Sequence, residues 1–525
     1  MKRLLSYLFI PVLLFLFSGC AKKEIVPTVD LNELNDLPVV IIETKNTGKS
    51  AMDFVTEPVA SHVSEAIASW TPGYEMPPAP YYEACTVTLT DADKTVLLDR
   101  VNADVKVRGN WTTSYDKKPL RIKFEESQTM LGLNNGATFR NWVLLAEYKD
   151  ASMLRNKTAL AIAREMLAED GLYASDAAFV EVVINGQYWG VYLLAEQQQV
   201  NKDRVDITEV PEGYTDTDIG YFLEFDSYFW TEDPLQQFRV DYANNAELIP
   251  FDGEDGNGET MKCLSDPEYG YKSDIGMTIK SDIYSEEQRD FISSFVNNVY
   301  NIMYAAAYKD EAYVFDDTYS EIRKTTEITP QEAVERVVNV SSLADAYLIN
   351  ELLCDADVYL TSFYMSADFG QSGDKKLTFE AHWDFDSALG NKDRCLDGTG
   401  FYAANIVPDV NGGPGNGGDY NSINPWLAVL AYEDWYREII TENWTKTYDS
   451  GAFDRVYAMI ETDQSLYSEA FDRNYERWDN INNRSAFEKE LSWKSAACHT
   501  QAEATDFLLE WLQSRVEFLN EYWHS

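Results

Sequence analysis

The chain has 525 residues, 45% hydrophobic and 14% aromatic, a composition that excludes a wholly disordered protein. Its 43 basic and 88 acidic residues give a formal net charge of −45, spread along the chain rather than gathered in a tail, and such a field repels nucleic acid. It also repels a nucleoside triphosphate, so any nucleotide site has to bring its own cations and a divalent metal.

At the N-terminus, Met1, Lys2 and Arg3 precede an apolar run from Leu4 to Phe17 that ends in Ser18, Gly19 and Cys20. This is the plan of an export signal over residues 1–19 with a small-residue cleavage site. Its last residues resemble a bacterial lipobox, with Cys20 as the lipidated residue. A transmembrane anchor is the alternative reading of the run, although Lys22 and Lys23 follow at once. Residues 20–36 lack apolar periodicity and read as a tether. The expected location is the cell envelope, lipid-anchored to a bacterial membrane, at the outer membrane or cell surface. The remaining stretch of about 490 residues is too long for one core and predicts two or three lobes. Cys85, Cys263, Cys354, Cys395 and Cys498 show no metal-binding or paired spacing, so buried free thiols are expected.

Residues 37–104 read as a β-rich segment, with strands at 39–42 and 85–98 broken by Pro, Gly and Asp turns. Strand character continues through 105–110. From Pro119 to Phe124 the alternation sends Leu120, Ile122 and Phe124 to a core while Arg121 and Lys123 share the opposite face. Residues 151–170 read as a helix, with Asp150 or Ser152 as N-cap and Gly171 as the stop. Strands at 179–184 and 188–195 flank Asn185-Gly186, a hairpin signal. A further strand is predicted at 220–229. The acidic, Gly-rich stretch at 252–259 lacks the ligand spacing of a calcium loop and reads as a solvated turn. Helices are predicted at 285–308, 330–338, 342–354, 423–431, 454–460 and within 484–522. Two strand-like runs at 362–366 and 376–383 interrupt them. The glycine-rich run at 412–418 has no following Lys, so it is a loop and not a phosphate-binding P-loop. A β-rich part followed by a helical part with an embedded hairpin is a bilobal α+β plan.

Chemistry concentrates at His382-Trp383-Asp384-Phe385-Asp386, where an apolar strand ends in two acids that can hold a cation, Asp384 and Asp386. Upstream, the helix containing Asn350 runs into Asp355 and Asp357, just before the first strand of that hairpin. A helix, an Asp in the next turn, a hairpin and a second Asp is how protein kinases set a catalytic base beside a metal ligand.

In order, the segments Arg108 to Trp111, Lys117 to Phe124, Asn141 to Ala146, Leu154 to Lys157, Val182 to Gln197, Asn350 to Met365 and Trp383 to Asp386 resemble the spore-coat protein H (CotH) family of atypical protein kinases. The resemblance implies a divergent kinase-like domain over 105–525, with an N-terminal lobe at about 105–230 and a C-terminal lobe at about 280–525. It implies transfer of the ATP γ-phosphoryl group to hydroxyls of secreted or envelope proteins, with Mg²⁺ or Mn²⁺. Asp357 would be the catalytic Asp and Asp384 the metal Asp, with Arg108, Arg121 and Lys123 clamping phosphates. Lys118 stays open as the phosphate lysine, and Glu165 could pair with whichever Lys serves. Glu196 and Gln197 would form the hinge that meets adenine. One departure stands out: the kinase metal-binding Asn is replaced by Ser362, so Asn391 or Asp386 has to substitute. The alternative reading is a non-catalytic pseudokinase or a surface lipoprotein that binds polysaccharide or protein.

Overall fold

Period-two alternation builds the first half. Strands β1 (Val39–Thr44), β2 (Glu83–Thr90), β3 (Val96–Val107), β4 (Leu120–Gln128), β5 (Phe139–Leu145), β6 (Ala177–Ile184) and β7 (Gln187–Glu196) form a closed barrel in the order β1-β2-β3-β4-β5-β7-β6. The computed structural model describes residues 31–525 except 62–63, 66, 69–70, 243–247, 249–250, 252–274, 393–397, 406 and 409–420. The export signal, Cys20, most of the tether, the loops at 252–259 and 412–418, Cys263 and Cys395 lie outside the described residues.

In β4, Leu120, Ile122 and Phe124 are fully buried, as the alternation predicts. They pack with Val40, Val87, Val105, Trp142 and Leu194 into the barrel core, each such side chain contributing roughly 1.5–3 kcal/mol on burial. The Asn185-Gly186 turn joins β6 to β7 with both residues in the left-handed region, φ +50° and +76°, the geometry a two-residue hairpin requires. A parallel pairing of β1 with β6 closes the barrel. Because β1 and β2 are barrel staves, the boundary expected at residue 104 falls inside β3, and residues 37–104 share one sheet with β4, β5, β6 and β7.

The first long helix, α1 (Arg155–Leu167), is shorter than predicted. The Asp150 carboxylate accepts from the backbone N–H groups of Ser152 and Arg155, which ties residues 151–154 into a turn before the helix. The apolar face of α1, with Ala159, Ile162, Ala163 and Met166, joins a second and larger core.

That core surrounds β8 (Gly220–Asp226), β9 (Gln237–Arg239), β10 (Gly276–Ile279), β13 (Phe363–Asp368) and β14 (Thr378–Phe379), in the order β14-β13-β8-β10-β9, while β11 (Ala312–Phe315) and β12 (Ile322–Thr325) form a separate hairpin. The predicted hairpin of β13 and β14 pairs Met365 with Phe379. β8, expected in the N-terminal lobe, instead pairs with β13, and every residue in it is buried. Its acids Glu224 and Asp226 are buried along with its apolar residues, so the strand needs cover on both faces.

The helices α2 (Glu286–Lys309), α3 (Val340–Leu353), α4 (Asp434–Asp449), α5 (Ala452–Trp478) and α6 (Gln501–Trp523) complete the second part. Capping boxes at Ser285/Gln288 and Thr500/Glu503 start α2 and α6. α5 docks on the barrel: Asn474 Oδ1 accepts from Lys117 Nζ at 2.8 Å and from Val191 N at 3.1 Å, and Trp478 packs edge-on against Trp189. The fold is therefore α+β, with a β-rich N-terminal part closed as a barrel and a mainly helical C-terminal part. Cys85 and Cys498 are buried free thiols, and Cys354 is buried as well. Among the described residues no helix is long and apolar enough to cross a membrane.

Candidate functional site

α3 is almost wholly buried from Ser342 to Leu353 and stops at Cys354, whose φ is +46°. The chain then turns sharply: Asp355 Oδ1 accepts from the Asp357 N–H at 3.1 Å, and the Asp357 carbonyl accepts from the N–H groups of Leu360 and Thr361. Asp357 thus stands in a turn between a buried helix and β13. The second acidic segment follows β14, where the backbone leaves extended geometry at Ala381 (φ +61°) and Asp384 (φ +74°). Left-handed backbone at non-glycine residues stores strain that surrounding contacts must hold. Here Ser362, itself at φ +61°, sets its Oγ 3.5 Å from Asp384 Oδ2. Phe385 N–H donates to Asn156 Oδ1 at 2.9 Å, and the Asp386 carbonyl accepts from Asn391 Nδ2 at 2.7 Å.

Asp357, Asp384 and Asp386 face a cleft of about 550 Å³ between the barrel and the second part, which Arg108, Arg121 and Lys149 line from the barrel side. Arg108 lies over the Trp383 ring, 5.7 Å from its centroid. Lys149 Nζ is 3.0 Å from Asp386 Oδ1, donates to Ser387 Oγ at 2.7 Å and lies 3.6 Å from Glu490. Burial opposes the charge of Lys149, but Asp386, Tyr115, Glu490 and Asp357 outweigh it and keep the ammonium well above the ordinary lysine range. Burial, with Asp386 and Asp357 beside it, pushes Asp384 up to about 7 despite Lys149 and Arg108. Crowded carboxylates with raised affinity for a proton are what a divalent cation relieves.

The second sheet supplies another acid–base pair. Glu224, on β8, lies 3.0 Å from Lys280 Nζ and also accepts from Ser362 N, Thr361 Oγ1 and Tyr364 OH. It therefore pins the start of β13 beside Asp357. Burial and the neighbouring Glu224 push Asp226 up to about 6.

Several expectations change at the level of single residues. Lys123 does not line the cleft: it points off the outer face of β4 toward Tyr82, 5.9 Å from the ring centroid. Lys118 is buried against the Tyr115 carbonyl. Glu165 pairs with Arg455 of α5 at 2.6 Å, because its side of α1 faces that helix. Glu196 is spent on Arg204, Asn134 and the Asp176 N–H, and its own N–H donates to the Asp176 carbonyl, so its side chain and its N–H are both already committed. Gln197 does face an adjoining cavity of about 670 Å³ shared with Arg108, Arg121 and Lys280. Asn391 is committed to the Asp386 carbonyl and to Ser495, so its side chain braces the turn.

Lys149 and Glu224 escaped the sequence reading. Lys149 carries no motif, since it sits in a loop just after β5. Glu224 left a signal, an acid inside the apolar stretch Tyr221-Phe222-Leu223-Glu224-Phe225.

The residues fit a nucleotide with a divalent ion. Among the described residues no three His, Cys, Asp or Glu side chains form a ready metal cage, but Mg²⁺ typically takes one or two carboxylates together with phosphate oxygens and water. Asp384 with Asp386 offers hard oxygen donors of that kind. In the adjoining cavity Gln197 Oε1 is buried with no hydrogen-bond partner among the described residues, an acceptor left for a polar ligand.

A family model described as CotH kinase protein matches residues 105–515. The chain is also similar to the inner spore coat protein H of Bacillus subtilis (strain 168), 35% identical over 97 residues that cover 18% of this chain and 24% of that protein. The matched stretch spans about a quarter of that relative's length.

Proposed function

This chain belongs to the CotH kinase protein family, and from that premise we propose that it is an exported lipoprotein kinase transferring the ATP γ-phosphoryl group to hydroxyls of secreted or envelope proteins. Membership in the family suggests atypical kinase activity. The observation that carries the finer reading is the convergence of Asp357, Asp384 and Asp386 with Arg108, Arg121 and Lys149 on one cleft. That is the set of parts phosphoryl transfer needs: carboxylates for a cation, cations for phosphate oxygens, and a base near the acceptor.

When bound, Mg–ATP would supply the phosphoryl group and the divalent charge. Asp384, with Asp386, would hold the cation, while Arg108 and Arg121 bind phosphate oxygens from the barrel side. Asp357 would orient the acceptor hydroxyl and take its proton as the new O–P bond forms. The bridging β–γ oxygen bond breaks, and ADP leaves with that electron pair. Lys149, kept protonated by its acidic neighbours, adds positive charge beside Asp357, where negative charge grows in the transition state. Kinase-like lobes, with the barrel as nucleotide lobe and the helical part as acceptor lobe, are part of the same proposal.

The test is incubation of the purified chain with γ-labelled ATP, Mg²⁺ or Mn²⁺ and a basic acceptor protein. Label should enter Ser or Thr only when metal is present. Absence of label together with tight ATP binding would favour the pseudokinase instead.

A further inference from the structure

Lys149 holds the side chain of Asp386, and a second side chain holds the backbone of the turn Asp384-Phe385-Asp386. Asn156, in the first turn of α1, accepts the Phe385 N–H on Oδ1 at 2.9 Å, and its Nδ2 donates to both carboxylate oxygens of Glu147 at 3.1 Å each. Asn156 and Glu147 are 6% and 4% exposed. Glu147 itself sits at φ +50°, and among the described residues no cation lies within ion-pair distance of it, Asn156 being its one side-chain donor. With both carboxylate oxygens claiming the amide N–H₂, the Asn156 carbonyl oxygen is left pointing at Phe385. An amide sandwiched this way has one orientation, and the backbone between the two site acids inherits it.

The same helix turn fixes the acidic segment at a second point. Arg155, fully buried and paired with Asp150, donates from Nε to the Leu389 carbonyl at 3.2 Å. Asn156 grips the segment between the acids and Arg155 grips it three residues past Asp386. The strained left-handed backbone of Asp384 needs such a brace, since among the described residues the hydrogen bond on its side chain is the long contact from Ser362.

We propose that Asn156, oriented by Glu147, is a positioning residue that sets the separation and direction of Asp384 and Asp386, and so the affinity of the cleft for a divalent cation. This rests on the reading of Asp384 as a metal carboxylate. Groups that orient metal ligands from behind typically change metal affinity or activity by about 10–100-fold when removed.

The experiment uses the full chain, wild type beside Asn156→Ala and Glu147→Gln, with two readouts. Mn²⁺ binding is followed by electron paramagnetic resonance with a non-hydrolysable ATP analogue present. Hydrogen–deuterium exchange is followed, without ligand, on the peptide containing Phe385. The expected result for Asn156→Ala is faster exchange confined to that peptide and a Mn²⁺ affinity about 10–100-fold weaker, with unfolding still cooperative. Glu147→Gln, which keeps the Phe385 bond but loosens the amide, should lie between that variant and wild type in both readouts. If Asn156→Ala does not fold, Glu147→Gln decides. Wild-type exchange and wild-type Mn²⁺ affinity in the folded variants would overturn the proposal. Failure of wild type to take Mn²⁺ at all would remove the metal reading and with it the effect on affinity, while faster exchange in the variant would still establish Asn156 as the brace of the turn.

Discussion

Lys149 Nζ lies 3.0 Å from Asp386 Oδ1, so the loop after β5 and the acidic turn beyond β14 meet in one ion pair at the floor of the cleft. The lysine is 6% exposed and the aspartate side chain 13%, so solvent screens the pair little. Lys149→Met should lower phosphoryl transfer by about 10²–10³, the typical effect of removing one preorganised donor at developing charge. Losing one partner also strands Asp386, so Lys149→Met/Asp386→Asn serves as the control for structure. The double variant should recover thermal stability and still transfer more slowly than Asp386→Asn alone, which already lacks one carboxylate for the cation. Equal transfer in those two variants would make the lysine a structural counter-ion only.

The two central acids have different jobs and should fail differently. Asp384→Asn removes a charge that would hold the cation, so metal–nucleotide affinity and transfer should fall together. Asp357→Asn should keep nucleotide affinity while losing about 10²–10⁴ in transfer rate, the usual range for general-base assistance. Calorimetric ATP affinity and phosphate incorporation, measured on both variants beside wild type, separate the roles. If neither quantity moves in either variant, the kinase reading falls.

How much of this could be read from the sequence depended on whether a residue's partner was local. The β4 faces and the Asn185-Gly186 hairpin rest on alternation and turn chemistry within a few residues, and they match the structure. The swap of β8 into the second sheet did not show, because a strand buried on both faces has no alternation to say which sheet it joins. α4 was passed over although Tyr436, Ile440 and Trp444 recur every four residues and are buried; charged residues between them hid the stripe. At the site, Asp357 and Asp384 came from motif order, which also marked Leu154 to Lys157 without saying why. The structure supplies the reason: Asn156 reaches Phe385 across 229 positions of sequence. Lys123 was chosen for its face of β4, but direction along the strand decides reach, and Arg121 rather than Lys123 lies at the cleft end.

Export is testable without reference to catalysis. Cys20 follows Gly19 at the end of the apolar run, and the proposal of a lipid anchor requires its thiol. Cys20→Ser should leave the precursor unprocessed or release the chain from the membrane fraction, with loss of labelled palmitate incorporation. Unchanged membrane partition and labelling in that variant would remove the anchor from the account.

A last prediction concerns stability and a group far from the cleft. Asp345, on α3, is 3% exposed and accepts from Asn443 Nδ2 at 2.8 Å. Burial, then the neighbouring Asp170, push its carboxyl up to about 8. Glu165, Glu169 and Asp170 near the end of α1 and Lys446 on α4 share its surroundings, with Lys446 already paired to Glu169. In the unfolded chain an Asp ionises near pH 3.9. Between about pH 4 and pH 8 the folded chain therefore holds a proton that the unfolded chain has lost. The contribution of this group to stability is fully present below that window, falls as pH rises through it, and is flat above it, with a slope of up to about 1.4 kcal/mol per pH unit. Asn at this position is neutral throughout and can still accept from Asn443. Urea unfolding of wild type and Asp345→Asn at pH 5, 6, 7 and 8 isolates the group, because the other titrations are common to both chains. The variant should gain stability relative to wild type with each step upward in pH, at an unchanged dependence on urea. Parallel curves would mean that Asp345 is ionised in the folded protein, held by a cation or by water within reach of its carboxylate.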